Sequence, residues 1–80
     1  MAGRKVAVVT GAGTGVGRAV TLALMREGYA VVLAGRRKEL LDTVAKEGAQ
    51  TPGEALSVAT DVADPASIKA LFAKSKETYG

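Results

Sequence analysis

Three short apolar runs, Lys5 to Thr10, Ala30 to Ala34 and Ala55 to Thr60, alternate along the chain with longer segments whose apolar positions recur at helical spacing. The first two runs are apolar on both faces, the pattern of strands buried in a parallel sheet. The third follows the turn Thr51-Pro52-Gly53 and has the alternation and length of a strand. The first intervening segment reads as a helix from Gly15 to about Glu27, with Val16, Val20, Ala23 and Leu24 on its apolar side and Gly28 where a helix is capped. The second follows the basic turn Arg36 to Lys38, sets Leu40, Leu41, Val44 and Ala45 inward, and is closed by Gly48. The third starts at Asp64-Pro65. An Asp side chain accepts from the free amides of a first turn, and Pro at the first helical position gives up a donor that has no partner there. Ile68, Leu71, Phe72 and Tyr79 mark its buried stripe.

The order β-α-β-α-β-α predicts an α/β fold with parallel strands joined by right-handed crossovers and covered by helices. That is one half of a doubly wound, Rossmann-type sheet. In strand order 3-2-1 the first strand, apolar on both faces, is an uncovered edge, so the isolated chain should tend to aggregate.

Between the first strand and the first helix stands Thr10-Gly11-Ala12-Gly13-Thr14-Gly15-Val16-Gly17. Free backbone amides and the positive end of a helix dipole face the same point there, a geometry that binds a pyrophosphate. Glycine serves where a side chain would block the phosphate or where the backbone takes positive φ, and Gly17 lets the helix lie close to the strand. The alternative is a tight strand-to-helix turn with no ligand. A P-loop would need Gly-Lys followed by Ser or Thr, which is missing, and GxGxxG fails because its third glycine falls on Val16 or Arg18. What fits is TGxxxGxG.

With that motif the chain resembles the single-domain short-chain dehydrogenase/reductase family, matched by Thr10, Gly11, Gly15 and Gly17. The extended, epimerase-like branch has TGxxGxxG, which Thr14 breaks. The resemblance implies that Thr14 and Val16 lie against the cofactor phosphates and the nicotinamide side, and that Thr10 braces the turn. It also implies that Asp61 and the backbone of Val62, just after the third strand, contact the adenine. Capping of local amides by Asp61 is the other reading of that residue. Residues 1–80 are expected to be the N-terminal part of a single NAD(P)-binding domain, incomplete by themselves.

A NAD-binding unit offers Asp or Glu at the end of the second strand to hold the ribose hydroxyls. Here that place holds Gly35, followed by Arg36 and Arg37. A small residue makes room for a 2′-phosphate, and guanidinium groups supply charge-assisted hydrogen bonds to it, so NADP is favoured over NAD. A basic triplet can also be no more than a solvated loop. Thr14 stands where some NADP-using relatives place a further basic residue, so the preference rests on the second-strand arginines.

Composition narrows the remaining classes. With 48% hydrophobic and 24% charged residues the 80-residue chain is ordinary globular material, able to form one small domain. The net charge of +3 comes from bases dispersed over Arg4, Lys5, Arg18, Arg26, Arg36 to Lys38, Lys46 and Lys69 to Lys76, which form no nucleic-acid stripe. Cysteine and histidine are both absent, so no thiolate nucleophile, disulfide or metal site is expected. Val6 to Val9 is too short for a signal-peptide core or a bilayer span, which makes a cytoplasmic location the expectation and a membrane partner not expected.

In the resembled family a Tyr acts as acid/base with a Lys four residues later, and the fourth strand carries Asn-Ala-Gly. Neither occurs here: Leu33 follows Tyr29 at that spacing, and Tyr79 is one residue from the end, so both tyrosines read as packing residues. The expectation is thus an oxidoreductase acting on a small-molecule carbonyl or alcohol, a homo-oligomer when complete, of which this chain carries the cofactor-binding segment and no catalytic residue. The alternative is a non-catalytic NADP-binding module or a truncated remnant.

Overall fold

The computed structural model describes residues 5–79; Met1 to Arg4, including one of the counted bases, and Gly80 lie outside them. Six elements follow in the expected order: β1 (Val6–Thr10), α1 (Gly15–Arg26), β2 (Ala30–Gly35), α2 (Lys38–Glu47), β3 (Glu54–Ala59) and α3 (Pro65–Tyr79). The three strands form one parallel sheet in the order β1-β2-β3. The two crossovers are equal in length, Val6 aligning with Ala30 and Ala30 with Glu54.

β2 is the middle strand, and Ala30, Val31, Val32, Leu33 and Ala34 are all fully buried. Alternation along it divides the core in two. Val31 and Leu33 face Met25 of α1 and Leu41 and Val44 of α2, while Val32 and Ala34 face Leu71 of α3. α1 and α2 therefore share one face of the sheet and α3 covers the other. β1, apolar on both faces like a buried strand, is the uncovered edge expected of this strand order: it is exposed at its ends and half-buried between them, because among the described residues it pairs only with β2. No described helix is long and apolar enough to cross a membrane.

The inward row of α1 differs from the apolar stripe read off the sequence. Thr21 and Met25 are the buried residues, whereas Val16 is 81% exposed and Val20 is exposed as well. Gly17, Thr21 and Met25 stand four apart on one face. Two of the three are not apolar residues, so counting hydrophobic positions passes over the row. Thr21 is tolerated in the core because its hydroxyl donates to the Gly17 carbonyl at 2.8 Å. In α3 the same correction applies to Phe72, 56% exposed on the flank of the helix away from Leu71; Ile68 and Tyr79 are half-buried.

The two helix-closing glycines act by different means. Gly28 has φ +87; its amide donates to the Met25 carbonyl at 3.0 Å and that of Tyr29 to the Leu24 carbonyl at 3.1 Å, the paired bonds of a left-handed helix closure. Gly48 ends α2 at φ −87, which any residue adopts. A Cβ there would come within 2.5 Å of the end of the Met25 side chain, which would have to shift to admit one. At the other end, Asp64 starts α3 as expected, Oδ1 accepting from the Ala66 amide at 3.0 Å.

α1 and α2 are also joined at the surface by a two-pronged ion pair. Arg18 Nε donates to Glu47 Oε1 at 2.8 Å and Nη2 donates to Oε2. These bonds hold the Glu47 carboxyl below the ordinary carboxylate range and raise the Arg18 guanidinium further. Since folded Glu47 is the stronger acid, its contribution is complete above the ordinary Glu range and is lost as pH falls through the folded value. Glu47→Gln should lower the melting temperature slightly at neutral pH, as for an exposed pair, and the two melting curves should converge in acid. A constant gap at all pH values would show that the charge of Glu47 contributes nothing.

Candidate functional site

The carboxyl ends of the three strands open on one edge of the sheet, where ligands bind in parallel α/β folds. After β1 the chain turns through Gly11 at φ +63 and Gly15 at φ +56, conformations that cost an L side chain about 1–2 kcal/mol. A Cβ at either glycine would meet nothing within 4 Å, so on these two residues the turn is open. Gly17 is the opposite case: its Cβ would lie 2.1 Å from the Gly11 carbonyl oxygen. The first turn of α1 therefore rests on the turn that precedes it, and Ala12 N–H ties that turn to β2 through the Ala34 carbonyl at 3.3 Å.

Thr14 is the N-cap of α1 with extended backbone, and its side chain makes no capping bond. The first turn carries no acidic residue. Among the described residues the amides of Gly15, Val16 and Gly17 are left without partners, as helix starts leave them, at the positive end of the helix. That donor set suits an anion of pyrophosphate type, and the open glycines leave it room to approach. The expected brace from Thr10 is not found: its exposed side chain makes no hydrogen bond among the described residues, and the turn is held by the Ala12 bond and the Gly17 contact instead.

A pocket lies between this turn and the start of α2, lined by Gly11, Gly13, Thr14, Gly35, Arg36, Arg37, Leu40 and Leu41. Gly35 in its wall packs on Leu41, where a Cβ would stand 3.2 Å from the Leu41 side chain. Arg37 is the N-cap of α2, its carbonyl accepting from the Leu40 and Leu41 amides, and its side chain has no partner among the described residues. Lys38 is engaged along its own helix, Nζ lying 3.2 Å from Asp42 Oδ2. Hydrogen bonds from Lys38, and then from Ser57, hold the Asp42 carboxyl below its ordinary range. Of the basic triplet, Arg36 and Arg37 line the pocket and Lys38 does not.

At the end of β3, Thr60 N–H donates to the Gly35 carbonyl at 2.7 Å, fixing this strand end beside that of β2. Asp61 Oδ1 accepts from Ala63 N–H at 2.9 Å, the local capping that is one of the two readings of this residue. The same oxygen lies 3.4 Å from Arg36 Nη2. Val62, exposed in the following turn, and Val16 do not line the pocket. Of the nine expected site residues, then, Gly11, Thr14, Arg36 and Arg37 share the pocket wall, Gly15 and Gly17 stand at the adjoining helix start, and Asp61 reaches it through Arg36.

Gly13, Leu40 and Leu41 were not foreseen as wall. Leu40 and Leu41 carry the apolar spacing of core residues, and Gly13 occupies a free position of the glycine pattern. What unites Gly13 and Leu40 is contact, since a Cβ on Gly13 would come within 2.9 Å of Leu40 Cβ. No periodicity in the sequence carries that signal.

A family model described as short chain dehydrogenase matches residues 5–80. An uncharacterised oxidoreductase of Staphylococcus aureus is 45% identical over 76 residues, which are 95% of this chain and 32% of the relative. The chain thus spans about a third of the length of that curated relative. Among solved structures, an alcohol dehydrogenase from Thermococcus sibiricus complexed with 5-hydroxy-NADP superposes with a TM-score of 0.90 at 37% identity, covering 96% of this chain and 33% of that one. L-Sorbose reductase from Gluconobacter frateurii, complexed with NADPH and L-sorbose, gives a TM-score of 0.91 at 32% identity, covering 98% and 30%.

Gly17→Ala should destabilise the fold by roughly 2–3 kcal/mol, because helix and turn must part, whereas Gly15→Ala should cost only the ~1–2 kcal/mol of an alanine at positive φ. Urea titration of both variants reads the order. Gly17→Ala as the milder of the two would show that α1 does not rest on the glycine turn.

Proposed function

Because the chain belongs to the short-chain dehydrogenase family, we propose that it is the NADP-preferring, cofactor-binding part of an oxidoreductase that transfers a hydride between a nicotinamide and a carbonyl or alcohol. The preference rests on one observation. The end of β2 presents Gly35, Arg36 and Arg37 to a shared pocket with the glycine turn, and no acidic residue lines that pocket. A carboxylate in that place would accept from a ribose hydroxyl and repel a 2′-phosphate; two guanidinium groups attract the phosphate and can grip it with paired donors. The 5-hydroxy-NADP and NADPH complexed with the two structural relatives agree with this reading.

When bound, the nicotinamide supplies the carbon that gives or takes the hydride. The residues present hold and orient the rest of the molecule. The amides of Gly15, Val16 and Gly17 take the pyrophosphate at the α1 start, with Gly11 and Thr14 forming the wall beside it. Arg36 and Arg37 take the 2′-phosphate, and Asp61 with the backbone of Val62 takes the adenine. Proton transfer to the substrate oxygen falls to no residue here: Tyr29 and Tyr79 pack against the two halves of the core, and Leu33 follows Tyr29 at the spacing where a lysine would be needed.

Replacing Arg36 and Arg37 by Ala should weaken NADPH far more than NADH, by roughly 1.5 to 3 kcal/mol for each charged hydrogen bond lost. Equal losses in a fluorescence titration would remove the 2′-phosphate assignment. The polypeptide of residues 1–80 alone should consume no NADPH with a ketone substrate, and measurable turnover would mean that a proton donor within these residues has been overlooked.

A further inference from the structure

Arg36 and Asp61, assigned above to opposite ends of one nucleotide corner, are bonded to each other, Arg36 Nη2 donating to Asp61 Oδ1 at 3.4 Å. The carboxylate is the fixed member of the pair. Asp61 Oδ1 accepts from Ala63 N–H at 2.9 Å, its own amide donates to Ser67 Oγ at 2.9 Å, and the strand end before it is tied to Gly35. The guanidinium is the loose member: its side chain is 74% exposed, and a 3.4 Å bond is a long one. Lys38 does not line the pocket, and its Nζ lies 3.2 Å from Asp42 Oδ2.

We propose that Asp61 determines specificity by competing with the 2′-phosphate for Arg36, keeping the preference for NADP below what the arginines alone would give. The inference rests on the assignment of Arg36 to that phosphate. Two effects of the carboxylate oppose one another. Holding Arg36 near the pocket would help a phosphate, but an exposed pair this long holds a side chain only weakly. Drawing on the cation's charge and repelling a dianion hinders the phosphate, and that repulsion acts over several ångströms, within the screening length at low salt. The second effect wins. For a cofactor with a bare 2′-hydroxyl, Asp61 leaves Arg36 with a partner, so the same carboxylate makes NAD tolerable.

The test is titration of NADPH and NADH into the full-length protein carrying Asp61→Asn, Arg36→Ala or both. Asn keeps the oxygen that accepts from Ala63 and removes the charge; Asp61→Ser, which also offers an oxygen, reads the same effect should Asn disturb the turn. The ratio of NADH to NADPH dissociation constants should rise about three- to tenfold in Asp61→Asn at low salt, rise less at high salt, and rise by a smaller factor when Arg36→Ala is present, where only the direct repulsion is relieved. An unchanged ratio with both cofactors weakened alike would overturn the proposal and leave Asp61 to the adenine or the turn. A lower ratio would overturn it as well, since Asp61 would then position Arg36. A protein that binds the two cofactors equally, and whose ratio ignores Arg36→Ala, would instead remove the NADP assignment itself.

Discussion

The contact between the first turn of α1 and the loop before it governs the rest of the structure. A helix start can serve as an anion site only if its amides are open to the ligand, and here the helix is brought onto the strand end closely enough that no side chain fits at Gly17. Once α1 is seated, Thr21 and Met25 fall under the sheet, and Met25 in turn meets Gly48 and the backbone around Gly53. α2 is then confined between β2, β3 and α1, and its start faces the glycine loop across a gap lined by both. The pocket is that gap, its walls shared by the glycine loop and the segment from the end of β2 into α2.

The order of elements was legible in the sequence because each obeys a local rule: β-branched runs, helical spacing, an Asp-Pro start, a glycine close. The structure agrees with these bounds within a residue or so at each end. The glycine pattern was legible for a similar reason, since positive φ at Gly11 and Gly15 leaves few residue types to choose from. What could not be read is which side of a helix faces inward when its inward row is Gly17, Thr21 and Met25. Hydrophobicity points elsewhere, and only the fit of a hydroxyl to the carbonyl four residues earlier makes the row buriable. The meeting of Gly13 with Leu40, and of Asp61 with Arg36, depends on how strand ends line up in space, and sequence spacing carries no trace of it.

The same limit explains Val16, Val20 and Phe72. Each has the spacing of a buried residue, and each is exposed among the described residues. A sheet of three strands gives β2 neighbours on both sides and both faces, while β1 and the outer flanks of α1 and α3 have them on one side only. Residue type reports what a position is suited to; burial reports what stands next to it.

Arg36 and Arg37 take no part in the core, and the fold's glycines, hydroxyl bonds and packed side chains all lie elsewhere. Their replacement carries no packing cost. On the proposed assignment of these two arginines to the 2′-phosphate, cofactor choice can therefore drift through a few exposed positions while the scaffold stays under strict selection, so that one architecture can be retuned between redox pools without first being destabilised.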